Sequence, residues 1–184
     1  MPEENINIDN IFHLSLKVAI RHRLPWLGLG LFGGILASGI VGNFEEIISK
    51  NLVLAAFIPL IVYMSDAVGT QMESFAIRDF ALHKNLNFFK YFLRQFSVIS
   101  VIGVVLSMLL FLFVIAFHTD LKLAFVISVS MFFSIISSVI TGLLFPRYFN
   151  RHRLDPANAS GPIATITQDI LSIVIYFTIA SAFL

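Results

Sequence analysis

The stretch "RLDPANASGPIATITQDI", residues 153–170, separates two long apolar runs and ends with a carboxylate, Asp169, inside the second of them. Its meaning depends on whether those runs are packed in water or cross a bilayer. Composition decides between the two. The 184-residue chain is 58% hydrophobic and only 12% charged, about half the roughly 25% charged share of soluble domains, and its mean hydropathy is +0.89. Twenty Phe and a single Trp suit lipid-facing helices. The runs are therefore membrane spans, and Asp169 lies within one of them.

A spanning helix needs about 20 mostly apolar residues. Five segments qualify: Leu24–Phe44, Asn51–Met72, Gln95–Thr119, Leu123–Pro146 and Pro162–Leu184. The second and fifth each hold one internal charge, Asp66 and Asp169. The fold class expected is an all-α integral membrane protein with five transmembrane helices. Orientation follows from the basic residues. Lys17, Arg21 and Arg23 precede the first span, Arg78, Lys84, Lys90 and Arg94 lie between the second and third, and Arg147, Arg151 and Arg153 lie between the fourth and fifth. Ten of the twelve positive charges thus fall on one side, which puts the N-terminus in the cytoplasm and the C-terminus outside. The expected location is the inner, or plasma, membrane.

The polar, acidic start "MPEENINIDN" has no signal-peptide pattern, so no cleavage is expected. Residues 1–23 form a cytoplasmic N-terminal segment, amphipathic from about residue 7, and residues 24–184 form the five-span domain. Residues 73–94 are expected to be a loop with some helical character. The absence of cysteine excludes disulfides and thiolate metal sites. The four histidines outside the spans, His13, His22, His83 and His152, show no ligand spacing.

Small and hydroxylated residues recur at helical spacing. Gly30, Gly34, Ser38 and Gly42 make one small-residue stripe, and Ser130, Ser134, Ser137 and Thr141 put four hydroxyls on one face of the fourth span. Both patterns read as helix packing. The two aspartates read differently. A charge at mid-bilayer costs about 2.5–3.5 kcal/mol, so such groups face a bundle interior or a hydrated cavity. No Lys or Arg lies within a span to neutralise them. Thr165, Asp169, Ser172 and Tyr176 follow at helical spacing, so their oxygens are expected on one side of the fifth span. Gly161-Pro162 predicts an irregular start to that helix, and Pro59 frees a carbonyl in the second span. "SDAVGTQ", 65–71, clusters Asp66, Gly69, Thr70 and Gln71. All these donors are oxygen, which favours hard cations, and sparse carboxylates among hydroxyls and amides favour Mg²⁺ with its tightly held water. Asp66, Thr165, Asp169, Gln71 and Ser172 are the candidate cation ligands.

At these residues the chain resembles the membrane domain of the MgtE family of magnesium channels and transporters, related to solute carrier family 41. The stretches that carry the resemblance are "LPWL…ASGIVGNFEEII" (24–48), "PLIVYMSDAVGTQ" (59–71) and "DPANASGPIATITQD" (155–169). The resemblance implies a two-fold homodimer with a pore at the subunit interface, lined by the second and fifth spans. It also implies a hydrated Mg²⁺ held between the two copies of Asp169. The chain departs from many members in having Ser65-Asp66-Ala67 where they have Gly-Gly-Asn, which adds a carboxylate, and the cytosolic sensor domains of those members are not expected here. Gating by such domains is not expected.

The function expected is Mg²⁺ or divalent-cation transport, with membrane lipid, divalent cations and a second copy as partners. Neither enzymatic activity nor a nucleic-acid partner is expected. A Na⁺- or H⁺-coupled exchanger is the alternative within transport. An intramembrane aspartyl protease, which pairs two acids, expects Tyr-Asp and Gly-x-Gly-Asp, whereas Ser65-Asp66 and Gln168-Asp169 match neither. A non-transporting scaffold leaves both aspartates without a role. Glu45, Glu46 and Asp120 read as solvated acids on the outer side, and Asp155 as a helix cap before Pro156.

Overall fold

The computed structural model describes residues 15–83, 86–152 and 156–184, the last segment with side chains from 160 onward. Six helices follow in order: α1 (Leu16–Gly42), α2 (Glu45–Lys50), α3 (Val53–Leu82), α4 (Phe88–His118), α5 (Leu121–Arg151) and α6 (Pro156–Phe183). No strand occurs among the described residues. Five helices are long and apolar enough to cross a membrane, the qualifying part of α6 being Ser160–Phe183. The expected cap at Asp155, and the part of the N-terminal segment before Ser15, lie outside the described residues. Lys17, Arg21 and Arg23 belong to the first turns of α1, which runs without a break past residue 23.

Two expectations are corrected. Residues 73–94 are not mainly loop: α3 runs for 30 residues, about 45 Å at 1.5 Å per residue, and α4 resumes at Phe88. The extension holds because its polar groups find partners. Arg78 pairs with Asp79 at 3.0 Å, the Tyr91 hydroxyl donates to Asp79 at 2.9 Å, and Phe80 packs on Phe88 and Tyr91. Asn87 caps α4 by accepting from the Lys90 N–H. Nor does α6 open irregularly at Gly161-Pro162, because the helix is continuous from Pro156. Proline's fixed φ suits a helix, and at its second turn the missing N–H removes one bond, to the Asn158 carbonyl. The expected discontinuity is absent for that reason. Thr119, in the left-handed conformation at φ 53°, ends α4. Asp120 then accepts from the Lys122 and Leu123 N–H groups, so this acid caps α5 rather than standing free.

In a bilayer, apolar side chains gain little by choosing a helix over lipid, so packing depends on close approach and polar contacts. α5 is central, buried along its length and packed against α3, α4 and α6. It meets α3 where Gly142 faces Gly69: a Cβ on Gly142 would stand 2.7 Å from the Gly69 carbonyl oxygen. α1 packs mainly on α6. Its buried residues there are Gly33 and Ala37, one step around from the expected stripe, and a Cβ at Gly33 would run into Ile166. Gly34, Ser38 and Gly42 are exposed. Contacts of Glu73 with Ser160, Arg147 with Phe88 and Trp26 with Phe149 gather the start of α1, the end of α3, the start of α4, the end of α5 and the start of α6 at one end. Most of the basic residues lie there.

Candidate cation site

Asp66 on α3 and Thr165 and Asp169 on α6 come together within the spans, all three half-buried. The Thr165 hydroxyl lies close to the Asp66 carboxylate, and the Asp66 and Asp169 carboxylates lie within electrostatic reach of each other. Neither aspartate forms an ion pair with a described residue. Thr165 and Asp169 open onto a cavity of about 460 Å³ between α6 and α1, whose other walls include Gly30, Gly33, Gly34 and Pro162. Gly30 and Gly34 have no atom within 4 Å of where a Cβ would stand, so the missing side chains of α1 leave the space in front of Asp169. A larger cavity of about 590 Å³ faces outward between α4, α5 and α6, but its walls are almost wholly apolar and hold no carboxylate.

A third acid lies within electrostatic reach of Asp66, and the sequence reading did not include it. Glu73 is buried at 6% exposure, accepts a hydrogen bond from Ser160, and interacts electrostatically with Asp66. It was missed because the span was closed at Met72 after some twenty apolar residues. The available signal was its spacing: seven residues from Asp66 is two helical turns, about 10 Å along one face.

Two predicted ligands stand elsewhere. Gln71 is exposed, five residues and therefore well round the helix from Asp66. Ser172 is fully buried, its hydroxyl 2.6 Å from that of Ser65 and donating to the Gln168 carbonyl. Tyr176, also buried, donates to the Leu54 carbonyl at 2.9 Å. The oxygen-bearing face expected on α6 therefore divides: Thr165 and Asp169 border the cavity, while Ser172 and Tyr176 join α6 to α3. Of the α5 hydroxyl stripe, Ser137 and Thr141 meet the Gln168 side chain through their hydroxyls and Ser134 through its backbone carbonyl, while Ser130 donates back to the Val126 carbonyl. Glu46 pairs with Lys50 at 2.7 Å on an exposed turn, and hydrogen bonding from that ammonium holds its carboxyl below the usual range.

Among the described residues, no three acidic, histidine or cysteine side chains converge on one metal position. The arrangement is an open, acid- and hydroxyl-edged cleft, with room for an ion that keeps its own water. The fold and this cleft define a multi-pass helical membrane protein with a carboxylate, Asp169, facing a cavity within its spans and a second, Asp66, close by. Residues 58–179 match the MgtE family, described as a divalent cation transporter, and the chain belongs to that family. It is similar to proteins named Magnesium transporter MgtE. That of Bacillus subtilis is 34% identical over 178 residues, 96% of this chain and 40% of that protein. That of Enterococcus faecalis is 34% identical over 181 residues, 97% of this chain and 40% of that protein. A third, from Thermus thermophilus, is 27% identical over 161 residues, 86% of this chain and 35% of that protein. The chain thus spans about two fifths of the length of the first two relatives.

Proposed function

We propose that the protein passes Mg²⁺ across the membrane as a homodimer, with the ion travelling in hydrated form along the Asp66–Thr165–Asp169 surface. The observation that carries this reading is the pair of spanning carboxylates within electrostatic reach of each other, without a cationic partner among the described residues. Such an arrangement is costly in a membrane unless a cation enters it. A divalent ion offsets both the mutual repulsion and the burial of the two acids. Mg²⁺ suits the cleft because it dehydrates reluctantly and needs few protein ligands.

One copy supplies acids on a single side of the cavity. A second copy, related by a two-fold axis, supplies the opposing side, with the two Asp169 carboxylates across the axis from each other. Membrane lipid surrounds the remaining apolar faces. Glu73, held by Ser160, is a further acidic station toward the end rich in basic residues, which we assign to the cytoplasmic side by the positive-inside rule. The N-terminus is then inside and the C-terminus outside.

The test is Mg²⁺ uptake into proteoliposomes with no Na⁺ or pH gradient. Wild type takes up Mg²⁺ under a Mg²⁺ gradient alone, and Asp169→Asn lowers the rate by more than about tenfold, since a unit charge near an ion in such a site is worth several kcal/mol. Unchanged uptake in Asp169→Asn contradicts the reading. Uptake that requires a Na⁺ or pH gradient replaces it with coupled exchange.

A further inference from the structure

Gln168 precedes Asp169 by one residue and is 1% exposed. Its amide oxygen accepts from the Thr141 hydroxyl at 2.8 Å. Its amide nitrogen stands 3.0 Å from the Ser134 carbonyl, the Ser137 hydroxyl and the Ser172 hydroxyl, three acceptors for two N–H groups. Ser172 in turn meets Ser65 of α3. One side chain therefore ties α6 to α5 directly and to α3 through a single hydroxyl.

The consequence comes from the bilayer. Apolar residues such as Ile163, Ile166, Leu171, Ile173, Ile175 and Ile179 lie on most sides of α6, and lipid is as good an environment for them as the bundle. Apolar packing alone does not decide which face of α6 turns inward. A buried amide does, because any other rotation leaves it unpaired in an apolar setting. Neighbouring helical residues point about 100° apart, so seating Gln168 between α5 and α3 turns Asp169 toward the cavity beside α1.

We propose that Gln168 is a positioning residue: its hydrogen bonds to α5 set the rotation of α6, and thereby aim Asp169 at the ion path. The proposal rests on Asp169 as a cation-facing group, but the rotation itself is measurable without transport. The chain has no cysteine, so single cysteines report cleanly. Asp169→Cys and Val174→Cys, the latter on the exposed side of α6, are labelled in proteoliposomes with a charged thiol reagent. The ratio of their rates reads which face meets water. Three interhelical hydrogen bonds of the size usual in membranes bias the rotation by about twentyfold. Gln168→Met, of similar volume but without the amide, is expected to lower the ratio by up to about that factor. Thr141→Val, which deletes one bond and serves where Gln168→Met fails to fold, is expected to lower it by about threefold. A ratio unchanged in the folded variants overturns the proposal. Mg²⁺ uptake by the same variants, with Asp169 intact, is expected to fall in parallel. A wild type that moves no Mg²⁺ refutes the ion path, while the labelling ratio still judges the rotation.

Discussion

Gly142→Ala probes the contact that holds α3 against α5. The added Cβ would stand 2.7 Å from the Gly69 carbonyl oxygen and 2.8 Å from the Met72 terminal methyl. The methyl can swing aside, but the carbonyl belongs to helix backbone. Ordinary contact begins at 3.4 Å, so the two helices must part by about 0.7 Å. Overpacking of a closed core costs about 1–3 kcal/mol. For a chain of this size that corresponds to a fall of roughly 2–12 °C in unfolding midpoint. The shift also moves Asp66, one turn from Gly69, relative to Thr165 and Asp169, so Mg²⁺ uptake falls with it. The assay is thermal unfolding of purified protein in mild detergent, followed by uptake in liposomes. The control is Gly28→Ala, an exposed helical site with no atom within 4 Å of the new Cβ, where the midpoint stays or rises because alanine favours helix. If Gly142→Ala unfolds at the wild-type temperature, close packing at Gly69 and Gly142 does not hold α3 in place.

Three further outcomes follow from individual contacts. Tyr176→Phe removes the donor to the Leu54 carbonyl and lowers stability by about 0.5–1.5 kcal/mol, measured by the same unfolding assay. Glu73→Gln keeps a partner for Ser160 but removes the charge, so the midpoint holds while the Mg²⁺ uptake rate falls. Lys50→Ala breaks an ion pair whose side chains are 70% and 85% exposed, and it leaves the midpoint unchanged because solvent screens such a pair.

The five spans were legible because twenty-residue apolar runs have one physical reading, and Asp66 and Asp169 stood out as candidates because an acid inside such a run has few; that they and Thr165 lie near one another is seen only in the fold. Helix length was not legible. Arg78 and Asp79 look like loop residues until their pairing and the packing of Phe80 on Tyr91 are seen, and Glu73 fell outside the site for the same reason. Face assignment was legible only in part. Ser172 sits at helical spacing from Asp169, yet it is about 60° round the helix, enough to turn it onto Ser65. Gln168, an ordinary polar residue by sequence, is defined by partners 31 and 34 residues away on α5. The small-residue stripe of α1 was right in kind but one step off, since Gly33 packs directly on Ile166 of α6 while Gly34 borders the open cleft.

The proposed path rests an ion between the Asp169 carboxylates of two copies. Crystals of the protein soaked in Mn²⁺, collected at a wavelength where Mn²⁺ scatters anomalously, test it most directly. An anomalous peak is expected on a two-fold axis, in the cavity beside Asp169 and Thr165, that excess Mg²⁺ abolishes and Asp169→Asn removes. A peak elsewhere in the spans, or a dimer whose two Asp169 side chains face away from each other, contradicts it.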